Sequence, residues 1–449
     1  MIRRFCVIAA LLLAVAPGYA QFGGFGGPSI LNRGGAAQGQ QPDRRVQFSP
    51  FAGAMGMYSN RFNVRAADQG PGLPLGKGFG VNGLVGLRAE KSGRQSSTSF
   101  QLGANHGRYQ REGIDGQRSV TGGFLGLSHG RQLTRQVNWF LSARMLTTDR
   151  SLQRGAFRAD VDPFGDPSVD MLDTELDYFD NRMYLGALAS GFSYQKSQRL
   201  TFSVQGGAFG AERPSGRFRD ARGFMAGGAA QYRLTRQTFA GAQYSFGTFY
   251  FPGRFGESTY MSAQAFIGRR LNRTWSAQAG AGPLWVDSTR LASVPLDPFI
   301  AALTGQATAL EILDRSTQTV AGQAALSGQF RKSSLQAVYM RGVMPGSAVY
   351  QSSLMERVGV NYNYSVARST SVAFILSAIR MKALMQEIGE ARMYRVGLSA
   401  NRRLREGLSL SGSASFVRRE IAGRRLVSDA VMVNLGVFYS PGELPFHVF

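Results

Sequence analysis

The sequence holds one cysteine, Cys6, and three histidines, His106, His129 and His447. A lone thiol closes no intrachain disulfide, and no Cys/His spacing suited to zinc is present. Phosphate-loop and nucleotide fingerprints are also missing. No metal and no cofactor are therefore expected. Charged residues make up only 18%, and 28 acids face 51 Lys and Arg, for a net charge of +23. No stretch approaches the run of about eighteen apolar residues that a membrane-crossing helix needs. Excess base alone would suit nucleic acid. Here the arginines are spread along the whole chain without a binding motif, and an export signal precedes them, so no nucleic-acid partner is expected. Catalysis is poorly supplied as well. Ser128-His129 is the one nucleophile–base neighbour pair of interest, but adjacent residues of a strand point to opposite faces. The chain is read as a non-enzyme.

What is present begins with a targeting segment. Arg3 and Arg4 precede an apolar run from Phe5 to Ala16, and Pro17-Gly18-Tyr19-Ala20 follows. Small residues at Gly18 and Ala20 suit cleavage before Gln21, making 1–20 a signal peptide. Cleavage there removes Cys6. Residues 21–45 are rich in Gly, Gln and Pro without apolar periodicity and read as a flexible lead-in. Residues 46–440 form one repeating unit, and 441–449 a C-terminal tail.

The repeat is an alternating stretch of about a dozen residues, a short basic turn, and another alternating stretch. Leu-Thr-Arg-Gln occurs at 133–136 and again at 234–237. Its relatives are Ser-Gly-Arg-Gln (92–95), Lys-Ser-Gln-Arg-Leu (196–200), Arg-Leu-Asn-Arg-Thr (270–274), Arg-Lys-Ser-Ser (331–334), Val-Ala-Arg-Ser-Thr (366–370) and Arg-Leu-Arg-Glu-Gly (403–407). From Leu234 they recur roughly every 37 residues with one wider gap, the period of two long strands plus their connections. Val358, Val360, Tyr362 and Tyr364 share one face of a strand, and Arg357, Asn361 and Asn363 the other. Tyr394, Val396 and Leu398 likewise oppose Arg395, Ser399, Asn401 and Arg403. Such strands are long for a soluble sandwich, and aromatics close their apolar faces, as at a lipid interface.

The predicted fold is all-β: a single transmembrane antiparallel up-and-down barrel of about eighteen strands, or sixteen if the first pair is misread. Predicted strand starts lie near 46, 79, 96, 118, 136, 181, 200, 221, 237, 257, 274, 315, 334, 352, 370, 389, 407 and 427. An even count brings both ends to the side of the short basic turns, taken as periplasmic. Long external loops are expected near 149–180 and 289–314.

On these turns and alternating strands the chain resembles a Gram-negative outer-membrane β-barrel of the porin kind. The Leu-Thr-Arg-Gln turns resemble those of barrel porins associated with exopolysaccharide genes. The resemblance implies outer-membrane lipid, lipopolysaccharide and the barrel-assembly machinery as partners, and homo-oligomers as an option. It implies a channel for small hydrophilic solutes or, alternatively, a barrel for polysaccharide export or surface binding. Its members end in a strand with a terminal aromatic, whereas here Pro441-Gly442 interrupts the chain between Tyr439 and Phe446.

A wall of sixteen to eighteen strands is too wide for side chains to fill. The expected pore-lining residues are Arg88, Arg144, Arg270, Arg357, Asn361, Asn363, Arg395, Asn401 and Arg403. Their arginines would favour anions. Of the 28 acids, nine fall between Asp149 and Asp180. Asp160, Asp162, Asp166, Asp170, Asp173, Glu175 and Asp177 are candidates for a constriction facing those arginines, for divalent-cation binding at the lipopolysaccharide surface, or for a solvated, mobile loop. The Asp160-Val-Asp162 spacing faintly suggests a calcium loop but lacks the closing bidentate Glu.

Mass spectrometry of the membrane-extracted protein is expected to find Gln21 as the first residue. A retained Met1–Ala20 segment would overturn the signal-peptide reading.

Overall fold

The computed structural model describes residues 46–446 except 63–75, 112–117, 149–182, 214–219, 253–255, 306, 346–351, 385–389, 422–425 and 442–443. The expected signal peptide, the lead-in 21–45 and the acidic loop at 149–180 lie outside the described residues.

The strands follow in chain order: β1 (Val46–Phe62), β2 (Gly76–Ser92), β3 (Ser96–Arg111), β4 (Arg118–Gln132), β5 (Val137–Thr148), β6 (Met183–Gln195), β7 (Leu200–Glu212), β8 (Ala221–Arg233), β9 (Thr238–Tyr250), β10 (Gly256–Arg270), β11 (Trp275–Pro295), β12 (Thr308–Gln329), β13 (Ser333–Pro345), β14 (Ser352–Ala367), β15 (Thr370–Ala383), β16 (Ala391–Arg405), β17 (Leu408–Ile421), β18 (Leu426–Tyr439) and the short β19 (Leu444–Phe446). From β1 to β18 each pairs antiparallel with its sequence neighbour, and β18 returns to β1, with Tyr439 opposite Ala52 and Met432 opposite Ser59. The result is a closed eighteen-stranded barrel. No edge is left, so the backbone polar groups of the wall are paired within the sheet.

The expected strand starts hold within three residues except at β12, which begins at Thr308 instead of near 315. That exception corrects the loop expected at 289–314. β11 and β12 stay paired to Pro295–Thr308, past the last β10 partner of β11, Arg290. A seven-residue helix, α1 (Pro298–Thr304), caps the hairpin tip. Asp297 accepts a hydrogen bond from the Phe299 amide at its start, and Gly305, at φ +67°, ends it in the left-handed region. The tail also differs from expectation. After the break at Pro441, Leu444–Phe446 pair with Phe48–Val46, so β19 continues along the β1 edge that β18 leaves.

Opposed residues settle which face is inside. Ser258 on β10 and Ser352 on β14 are four strands apart, yet their hydroxyls are 3.0 Å apart. Ser258 therefore faces the lumen, and the ladder pairings carry that assignment strand by strand around the wall; Ser352 has the outward parity of β14, so the start of that strand bends inward over the bore. The other face carries the exposed apolar residues, among them Val204, Ile267, Val358, Leu398, Val433 and Leu435. This outer band has a sharp upper limit. Arg341, Glu356, Arg380, Arg392 and Glu420 are directly opposed on β13 to β17, forming one row at the loop end. Arg341 reaches Glu356 at 3.1 Å, and Arg380 reaches Glu356 at 3.5 Å and Glu390 at 2.7 Å. Below the row sit Tyr339, Val358, Ala378 and Tyr394, then purely apolar residues. On β16 the interval from Arg392 to Arg402 corresponds to a height of about 25 Å at a typical strand rise and tilt, the height of a barrel's lipid-facing belt.

Glycine serves the inner face in a specific way. Phe51, Phe124, Phe140, Phe239, Phe266 and Tyr260 point inward, and each stands opposite a glycine: Gly86, Gly103, Gly191, Gly268, Gly241 and Gly247. Each ring lies where that glycine's missing Cβ would be. The aromatics are thereby pressed flat on the wall, which a larger opposite residue would prevent.

Two outcomes are expected. Gly268→Ala would put a methyl into the Phe239 ring, and overpacking of this kind costs about 1–3 kcal/mol. A lower urea midpoint, read by heat-modifiable gel mobility, checks it, and an unchanged midpoint counts against the packing described. The second concerns Glu390, whose carboxyl is pushed down to about 2, chiefly by the hydrogen bond from Arg380 and also by Arg392. A depressed carboxylate stabilises above its ordinary value near 4.5, and that contribution fades as pH falls towards about 2. Glu390→Gln should therefore lower the melting temperature at pH 7 and lose that deficit by pH 2. Parallel wild-type and variant curves across that window would contradict it.

Candidate functional site: the barrel lumen

The inner face divides into two zones along the barrel axis. At the loop end the lining is apolar and dry. Leu185, Phe209, Phe249, Tyr260, Leu284, Val286 and Val343 form one buried cluster with Ala211, Ala221, Ala321 and Leu384. Met344, Met355, Ile379, Met381, Met393 and Val417 form a second beside it. Leu284, Met344 and Met355 are at most 1% exposed, so this packing excludes water. The layer is pinned by serines. The Ser258 hydroxyl lies 2.9 Å from that of Ser288 and 3.0 Å from that of Ser352, and Ser288 and Ser352 lie 3.3 Å apart, so the three share hydrogen bonds. The start of β14 thus leans over the lumen to reach β10 and β11.

Towards the turns the lining becomes polar. Gln243 and Gln264 are directly opposed on β9 and β10, with Gln278 and Gln323 following on β11 and β12. Gln264 donates to Ser262, while its Oε1 and the Nε2 atoms of Gln278 and Gln323 have no partner among the described residues. Amides left open in this way suit water or a hydrated solute.

Of the residues expected to line a pore, all lie on strand faces turned inward, with differing freedom. Arg144, Asn401 and Arg403 are exposed, Asn363 is half-buried, and Asn361 is 4% exposed. Arg357 and Arg395 are half-buried near the loop end, two residues turnward of Met355 and Met393. Arg88 is ion-paired with Glu90, its Nε donating at 2.7 Å. Arg270 donates to the carbonyls of Asn272 (3.2 Å) and Arg273 (3.4 Å), so it caps its own turn. The acidic candidates Asp160, Asp162, Asp166, Asp170, Asp173, Glu175 and Asp177 lie outside the described residues. Sequence reasoning missed the apolar zone. It assigned the greasy face of every strand outward, but in segments such as 256–267 both faces carry large apolar residues near the loop end. Tyr260 inside and Met261 outside are a visible instance.

The turn end is built from one recurring device. Thr134 Oγ1 accepts from the amides of Gln136 (3.2 Å) and Val137 (3.0 Å). Thr235 does the same for Gln237 and Thr238, Ser197 for Arg199 and Leu200, and Asn272 for Thr274 and Trp275. These side chains satisfy turn amides locally, which fixes the connection in very few residues. At the inner rim two such turns converge, and Arg199, Arg233 and Arg236 line a small pocket with Gln231, Gln237 and Phe239.

Ser128 and His129 fall on opposite faces. Ser128 Oγ meets Ser99 Oγ inside at 2.7 Å. His129 Nδ1 meets Thr98 Oγ1 outside at 2.8 Å, its ring 5.3 Å from Trp139. Among the described residues, no group of three His, Cys, Asp or Glu is placed to hold a metal ion.

No protein-family model matches the sequence, and no curated protein matches it. Solved structures resemble it in overall shape. OccK7 (OpdD) of Pseudomonas aeruginosa aligns at 10% identity and TM-score 0.44, over 90% of this chain and 100% of that one. A BenF-like porin from Pseudomonas fluorescens Pf-5 aligns at 11% and 0.43, over 89% and 99%. Pseudomonas aeruginosa OpdQ aligns at 10% and 0.40, over 90% and 99%.

Proposed function

We propose that this chain is an outer-membrane, porin-like channel for small hydrophilic solutes, with a preference for anions. The observation that supports this is the pairing of two surfaces on one closed wall. Outside, an apolar belt of about 25 Å matches the lipid core. Inside, the turn-side half of an eighteen-stranded wall is lined with amides and hydroxyls, and Arg144, Arg357 and Arg395 stand nearer the loop end, each two residues turnward of the apolar layer at Leu146, Met355 and Met393. A ring this wide leaves space that water must occupy unless side chains fill it. Cationic side chains along such a path raise local anion concentration and lower the barrier to anion passage. Solutes pass without covalent chemistry, and insertion would require the barrel-assembly machinery and outer-membrane lipid.

The apolar layer at the loop end favours a second reading: a barrel without general pore activity, serving polysaccharide export or surface binding. In the first reading that layer acts as a hydrophobic gate, since a dry constriction opposes ion passage until it is wetted.

Planar-bilayer recording separates the two. The wild type is expected to show small, infrequent conductance, and Leu284→Ser with Val286→Ser to raise it several-fold by wetting the constriction. In a salt gradient the reversal potential of the opened variant should indicate anions. Arg357→Gln with Arg395→Gln should shift it towards zero selectivity. A silent wetted variant that still shows heat-modifiable mobility would remove the channel reading and leave the second.

A further inference from the structure

Charge is divided unequally between the two ends of this wall. The loop-end row is internally compensated, with Arg341, Arg380 and Arg392 interleaved with Glu356, Glu390 and Glu420. The turn end has no such balance. Seven of the eight turn connections contain Arg or Lys, and the eighth, Glu406-Gly407, follows Arg405. Among the described residues, the acids at this end are Glu90, which Arg88 already engages, and Glu406.

Apolar side chains accompany this charge at fixed positions. Leu133, Leu234 and Leu271 open their turns and are 47%, 51% and 52% exposed, and Leu404 precedes its turn at 47%. Each continues the outward parity of its strand, since Gln132, Arg233, Arg270 and Arg403 before them point inward. Two residues after each of the first three leucines stands an exposed arginine: Arg135, Arg236, which also borders the rim pocket with Arg199 and Arg233, and Arg273. Between them, Thr134, Thr235 or Asn272 locks the backbone, so the Leu-to-Arg spacing is the same at all three turns. An exposed leucine facing out and an arginine one step beyond it match the boundary of a bilayer leaflet, with acyl chains first and phosphate next.

We infer that this collar of turns binds the phosphate groups of anionic phospholipid in the leaflet on the turn side. Each leucine enters the acyl region while the arginine of the same turn hydrogen-bonds a headgroup phosphate. Three or more equivalent turns around the circumference would hold a ring of such lipids and fix the depth of the barrel. Guanidinium suits the task because it offers several donors to phosphate oxygens. The inference rests on the membrane-spanning reading of the barrel, not on channel activity.

The test uses the whole folded barrel in phosphatidylcholine vesicles containing a minor fraction of phosphatidylglycerol, followed by native mass spectrometry of the lipids it retains. Wild type should retain phosphatidylglycerol in excess over its share of the vesicle. Arg135→Gln with Arg236→Gln and Arg273→Gln should cut that excess on the order of tenfold or more, since one such residue near an anionic surface is worth about fivefold. The corresponding lysine variants should keep part of it. Inorganic polyphosphate as a soluble competitor distinguishes a lipid site from a general phosphate site, and displacement of the retained lipid at equal phosphate concentration would overturn the lipid assignment. An excess unchanged in the glutamine variant, or no excess in wild type, would also overturn it. Heat-modifiable mobility in neutral vesicles reports separately whether the barrel itself inserts, so failure of the collar is not confused with failure of the barrel.

Discussion

The backbone hydrogen bonds between β18 and β1 are the constraint on which the rest depends. A sheet in lipid cannot leave an edge, because an unpaired amide or carbonyl there costs several kcal/mol. Once Ala52–Ser59 pair with Tyr439–Met432, parity assigns the residues within the belt to lipid or to lumen, while at the loop end Val343 and Ser352 leave their strands' parity and turn inward. The outer belt, its limiting charge row and the inward arginines follow from that single assignment. Even the interrupted C-terminus respects it, since Leu444–Phe446 resume pairing on β1 after the break.

The interior then has two physical regimes. Towards the turns the inward face carries amides and hydroxyls, several of them buried without a partner among the described residues. Near the loops, Phe, Tyr, Leu and Met side chains pack strand to strand along the inner face into two buried clusters, like a soluble protein's core. One molecule thus joins a wet vestibule to a dry constriction. The serine triad at Ser258, Ser288 and Ser352 sits at that constriction, a small polar patch within apolar packing. Three hydroxyls satisfy one another there, so the leaning start of β14 is held without a buried charge.

Much of the architecture was legible in the sequence because it is locally encoded. Thr134, Ser197, Thr235 and Asn272 bond to amides two and three residues ahead, so each turn is specified within a few positions and its strands are located by it. Period-two alternation, as in Tyr394 to Arg403, then gives the faces. What failed is non-local. β12 starts early because Ala309–Leu313 pair with β11 beyond the membrane, where no lipid dictates the pattern. The dry layer depends on side chains from β6 to β15 meeting through space, and neither Leu284 nor Met355 announces such partners in its own neighbourhood. Parity could not reveal that Arg88 is already paired with Glu90 or that Arg270 caps its own turn.

The flattened rings carry a further consequence. Where Phe239 lies over Gly268 and Phe124 over Gly103, the free radius of the passage is governed by positions that contribute no side chain at all. Calibre and lining chemistry are therefore set by different residues. A lineage could narrow such a passage in small steps by gaining a methyl opposite an aromatic, tilting the ring towards the axis, while every solute-facing functional group stayed the same.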